Sequence, residues 1–119
     1  MAVSDNVKRG TIELLVLTLL DSRDMYGYEL VQEIKEQSNN LYIMQESSLY
    51  PSLYRLLDKG FISDRQEKVG KRRVRVYYHI EDAGKLYLAQ IRKEYLTLCR
   101  GILNLLHITS LEDMLDEEQ

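Results

Sequence analysis

Tryptophan is absent from this chain, and proline, cysteine and phenylalanine each occur once among its 119 residues. A single cysteine, Cys99, cannot form an internal disulfide, so the expected setting is a reducing cytoplasm. With one proline and six glycines there is no composition for a flexible linker or a low-complexity segment. The apolar stretch IELLVLTLL is short and contains Glu13, so no membrane span of about 20 residues is expected. The opening MAVSDNVKRG runs into a helical pattern rather than a signal-peptide pattern. The two histidines, His79 and His107, stand far apart without HxxxH or CxxC spacing, so neither metal nor cofactor is expected. Phosphate loops, nucleophile elbows and paired-acid motifs are missing, and the chain does not read as an enzyme. Cys99 falls in an apolar helical row and reads as a small buried hydrophobe.

What is there suits one folded domain with a modest core: 45% of the residues are hydrophobic and 29% charged. A net charge of −3 discourages a polyanionic partner until its distribution is considered. The last nine residues, LEDMLDEEQ, carry five acids and no base, which leaves residues 1–110 at +2. Residues 65–75, RQEKVGKRRVR, hold six bases against one acid, Glu67. A local field of that sign can meet a polyanion whatever the net charge, although a solvated hairpin would look the same.

The order of elements follows from hydrophobic period. RGTIELLVLTLLDS is apolar over most of a helical circumference, so Leu14 and Leu17 are expected to help cover a second subunit, the alternative being a central core helix of a monomer. DMYGYELVQEIKEQS is a second helix, with Asp24 as the expected N-cap, and Asn39-Asn40 supplies a turn. ESSLYPSLYRLLDKG is a third, closed by Lys59-Gly60. FISDRQEK and VRVYYHI then alternate at period two around Gly70-Lys71, as a β-hairpin with a basic tip. In the final helical segment Leu88, Ile91, Tyr95, Leu98, Ile102 and Leu105 recur at heptad steps, which predicts a dimer seam, with an ordinary core stripe as the alternative. Gly101 inside that helix suggests a closely packed backbone. The fold class is mainly α (α+β), with residues 1–81 a winged helix-turn-helix, 82–108 a dimerisation helix and 109–119 an acidic tail. Ser110 with Asp113 can cap a short helix there.

Pro51 sharpens the third helix. Proline is harmless only in a first turn, where its missing N–H has no partner, so the helix is expected to start at Ser48 with Ser47 beside it. Two hydroxyls and free N–H groups at that end suit close approach to phosphate. Tyr50, Ser52, Tyr54, Arg55 and Lys59 are expected away from the leucine face, alongside Pro51. Lys68, Lys71, Arg72, Arg73 and Arg75 of the hairpin complete the candidate contacts to double-stranded DNA.

The segments RGTIELLVLTLL (9–20), MYGYELVQEI (25–34), SLYPSLYRLLDKGFI (48–62) and RVYYHIEDAGK (75–85) together resemble the PadR family of transcriptional regulators, short type. The resemblance implies a winged-helix homodimer joined through its last helix and repressing a palindromic operator, often released by a small aromatic or hydrophobic ligand. Ser48, Tyr50 and Pro51 then open the recognition helix, and Lys71, Arg72 and Arg73 mark the wing. Glu81 stands where the family often has threonine, so Asp82 or a later residue takes over the start of the last helix. Without tryptophan, a ligand pocket built on tryptophan stacking is not expected, and Tyr87 and Tyr95 are the candidates to line one. The competing reading is a protein-interaction module using the heptad helix and acidic tail, which would have no need of a basic hairpin.

Overall fold

The computed structural model describes residues 10–118, with five α-helices and one antiparallel sheet among them. Helix α1 (Ile12–Leu20) buries Val16, Leu17, Leu19 and Leu20, as its near-complete apolar surface requires. A two-residue strand, β1 (Met25–Tyr26), precedes α2 (Gly27–Gln37). Asp24 therefore does not cap α2; that place falls to Tyr26, whose N–H donates to Glu29 Oε1 at 3.4 Å. Two residues are too few to show a period, and β1 exists because Met25 and Tyr26 pair with Tyr78 and Tyr77 across the sheet. After α2 the chain reverses through Asn39 and Asn40, both left-handed at φ 54° and 64°.

The third helix begins differently from its expected start. Residues Glu46–Ser48 form a 3₁₀ turn that runs straight into α3 (Tyr50–Asp58), with Leu49 at the junction. Ser48 is not the N-cap. Its N–H donates to Gln45 O and that of Leu49 to Glu46 O, so the tighter turn satisfies the backbone without a hydroxyl. Pro51 becomes the second residue of α3, where its ring is tolerated. Leu49, Leu53 and Leu56 are fully buried. Gly60, at φ 74°, ends the helix, as the Lys59-Gly60 pair predicts.

Strands β2 (Ile62–Val69) and β3 (Arg73–Ile80) form the hairpin, paired from Ile62 with Ile80 to Val69 with Arg73. β3 lies between β1 and β2. Ile62, Tyr78 and Ile80 are buried at its base, and burial fades toward the tip, where Val74 is 55% exposed. Helix α4 (Asp82–Leu105) has Asp82 as its first residue, so Glu81 keeps the N-cap position expected to pass to Asp82, its carbonyl accepting from Lys85 N–H at 3.0 Å. Gly84 lies directly against the carbonyl of Phe61, while Tyr87 stacks on the Phe61 ring at 4.4 Å.

The chain divides into one unit up to Leu88 and another from Ala89, which holds the rest of α4 and α5 (Leu111–Glu118). In α5 the N–H of Asp113 donates to Ser110 Oγ, and Asp113 accepts from the N–H and hydroxyl of Thr109. The hydrogen bonds from Thr109, aided by Ser110, hold the Asp113 carboxyl below its ordinary value. No helix of the described residues is long and apolar enough to cross a membrane.

The expected dimer seam splits. Leu17, Leu88 and Ile91 are buried within the single chain, and Leu14 and Tyr95 are half-buried. Leu98, Ile102 and Leu105 remain exposed. Cys99 is exposed too, contrary to its expected burial, and among the described residues nothing beyond the helix's own backbone lies within 4 Å of a Cβ built on Gly101.

Candidate nucleic-acid interface

The 3₁₀ turn leaves Ser47 and Ser48 exposed at the mouth of α3. Tyr50 follows on the first turn, its hydroxyl donating to Glu46 Oε1 at 2.8 Å and its ring stacked on Tyr54 at 6.1 Å between centroids. Burial, with the Glu46 carboxylate adding to it, pushes the Tyr50 phenol up to about 12. That hydroxyl keeps its proton at any physiological pH. Tyr54 stands 62% exposed one turn further on, and Lys59 is exposed at the far end of the helix.

Ser52 is not on the exposed side. It is buried, and its Oγ accepts from Arg55 Nη2 at 3.1 Å. The reason is helical period: Ser52 stands three residues after Leu49 and four before Leu56, which puts it on the leucine side wherever the helix begins. Arg55 is exposed but committed, donating Nε to Glu13 Oε1 of α1 at 3.0 Å. The other oxygen of Glu13 accepts from the Tyr87 hydroxyl at 3.0 Å. Glu13 thus ties the first, third and fourth helices of this unit together, a role with no signature in the sequence.

Lys68, Lys71, Arg72 and Arg73 are all exposed at the hairpin tip. Among the described residues, ion pairs engage Arg23, Arg55, Arg65 and His79, and none engages these four bases. Arg75 differs: it is half-buried, its guanidinium 4.3 Å over the Tyr26 ring. The wing is braced at its base by Asp24, whose two oxygens meet Arg65 and, at 2.7 Å, His79 Nδ1. Burial alone would raise the Asp24 carboxyl, but the hydrogen bonds to His79 and Arg65 outweigh it and hold the group below its ordinary value. A short acidic residue before a helix reads as a cap, and only the hairpin's return path brings it these partners.

An exposed helix mouth and an unpaired basic tip lie on one winged-helix unit. Residues 16–90 match the model of the transcriptional regulator PadR-like family. The chain belongs to that family. An uncharacterized protein of Lysinibacillus sphaericus is 36% identical over 93 residues, 78% of this chain and 85% of that one. The negative transcriptional regulator PadR of Bacillus subtilis is 30% identical over 74 residues, 62% of this chain but 41% of its own length. Its structure in complex with operator DNA superposes with a TM-score of 0.63 at 29% identity, covering 67% of this chain and 45% of that one. A transcriptional regulator from Clostridium thermocellum fits more of the molecule, with a TM-score of 0.74 at 32% identity over 87% of this chain and 96% of its own.

Proposed function

We propose that this PadR-family chain is a homodimeric, cytoplasmic repressor that reads a palindromic operator through the mouth of α3 and the tip of the wing. As a member of its family it is a DNA-binding transcriptional regulator. The observation that carries the finer reading is the charge pattern: four exposed bases without acid partners sit at the tip, whereas Arg65, further down the hairpin, is paired with Asp24 and Glu67. Ser47, Ser48, Tyr50 and Tyr54 would meet backbone and base edges, and Lys71, Arg72 and Arg73 the adjacent phosphates. The same unpaired tip disfavours a pure protein-interaction module. Selection of bound duplexes from a random pool should return an inverted repeat whose half-sites lie about one helical turn, 34–36 Å, apart. Recovery of no consensus, or of single half-sites only, would count against a symmetric reader.

The exposed leucines of the second unit support the dimer. Leu98 and Ile102 are 57% and 47% exposed in the single chain, one turn apart on α4, and such apolar rows are normally covered. Their replacement together by glutamate should give monomers in sedimentation and weaken operator binding by roughly a hundredfold or more, because each half-site then binds alone. A dimer surviving both changes would place the interface elsewhere. Release by a small aromatic or hydrophobic ligand completes the reading, acting by rotation of the two wings out of register. Tyr87 and Tyr95 are the candidates to line its pocket, and Tyr87 is stacked on Phe61 and bonded to Glu13.

A further inference from the structure

Glu46 opens the 3₁₀ turn that also holds Ser47 and Ser48, and all three are exposed at the mouth of α3. Its carboxylate is fixed in place. Oε1 accepts the Tyr50 hydroxyl at 2.8 Å, and the Tyr50 ring is stacked in turn on Tyr54. Gly27 of α2 leaves room for this pair, since a Cβ there would stand 3.0 Å from both Glu46 Oε1 and the Tyr50 hydroxyl. Among the described residues no ion pair engages Glu46, and its second oxygen accepts no hydrogen bond. A carboxylate oxygen is an acceptor only, so Oε2 is open to a donor from outside the chain. Neither does the side chain cap a helix, since no side-chain cap bond is made at the start of the 3₁₀ turn or of α3.

An unpaired carboxylate beside two hydroxyls suited to phosphate repels any strand that approaches, whatever its sequence. That cost is offset only where a base edge supplies a donor. In the major groove guanine offers two acceptors and thymine an acceptor beside a methyl group, while adenine sets its N6 donor next to the N7 acceptor. Cytosine shows its N4 donor with no acceptor of its own alongside. The inference rests on the proposed function, in which the mouth of α3 meets base edges. We propose that Glu46 is a specificity-determining residue of this reader: its open oxygen accepts the N4 amino group of a cytosine in the major groove, and Tyr50 positions it. The Tyr50 phenol keeps its proton, so toward the carboxylate it acts as a donor. The pinned carboxylate has lost much of its rotamer freedom before DNA arrives, which lowers the ordering cost of the contact.

Selection from a random duplex pool with the full chain, Glu46→Ala and Tyr50→Phe tests this, followed by titration of single-base variants of the selected site. The parent should demand cytosine at one position of each half-site. Glu46→Ala should lose about tenfold of the preference at that position and none elsewhere, and Tyr50→Phe, which frees the carboxylate, should reduce the same preference several-fold. A carboxylate that serves only the helix, or that faces only phosphates, would change stability or the affinity for all sequences and leave base choice alone. An unaltered preference profile for Glu46→Ala therefore overturns the proposal. If Glu46→Ala does not fold, Tyr50→Phe decides alone, and an unchanged cytosine preference there overturns it. A parent that selects no consensus removes the DNA reading and this inference with it. A parent consensus that neither variant alters removes this inference alone.

Discussion

Gly84→Ala should destabilise the chain by about 3 kcal/mol or more, although alanine is normally worth about 1 kcal/mol over glycine inside a helix. The sign reverses because a Cβ on Gly84 would lie 2.0 Å from the carbonyl oxygen of Phe61. That oxygen is backbone and cannot rotate away. It also accepts the N–H of Glu81 at 2.9 Å, so moving it breaks the junction where β3 turns into α4. The Ile80 side chain, 3.0 Å from the same Cβ, blocks the other way out. A small domain has only about 5–15 kcal/mol in total, so the loss is large. Urea unfolding of the variant beside the parent measures it. Equal midpoints and slopes would mean that α4 does not approach Phe61 this closely. Because Tyr87 stacks on Phe61 and bonds to Glu13, the displaced helix should also loosen the support of Arg55 on α3.

Arg72→Ala with Arg73→Ala should weaken DNA binding about tenfold or more on every sequence, without changing the order of preference among operators. The salt dependence carries the sharper reading. A phosphate that no longer meets a base takes about 0.9 off the slope of log affinity against log salt, so two arginines remove roughly two units per wing, or nearly four per dimer. The fold should be unaffected, since both residues are exposed and neither forms an ion pair. An unchanged slope in filter-binding or fluorescence titrations from 50 to 300 mM salt (about the range where the effect is steep) would remove the wing from the interface. Arg65 is the instructive contrast. It lies in the same basic run but is held by Asp24 and Glu67, so its loss should act on the wing's posture more than on the slope.

How much of the fold and the site is legible in the sequence varies with the range of the interaction. Local chemistry is readable: Gly60 and the two asparagines take the left-handed turns expected of them, Pro51 falls in a first turn, and Gly70 turns the hairpin. Period is readable too, in the leucines of α3 and the alternation of β3. So are family membership and the winged-helix order, because both reside in contiguous motifs. Partners distant in sequence are not. Asp24 reads as a cap because its neighbours are helical, yet Arg65 and His79 reach it through the sheet. Ser52 reads as exposed because it is polar, yet three residues after Leu49 and four before Leu56 it shares the buried face, where its hydroxyl accepts from Arg55. The heptad of α4 establishes that a stripe exists and cannot say what covers it. Leu88 and Ile91 are covered within the chain, while Leu98, Ile102 and Leu105 are left outward. Sequence by itself therefore determined the elements, their order and the basic tip, since those depend on residues a few positions apart. Tertiary structure alone decided which charges are spent on the fold, because only the chain's return brings Asp24 to Arg65 and Glu13 to Arg55.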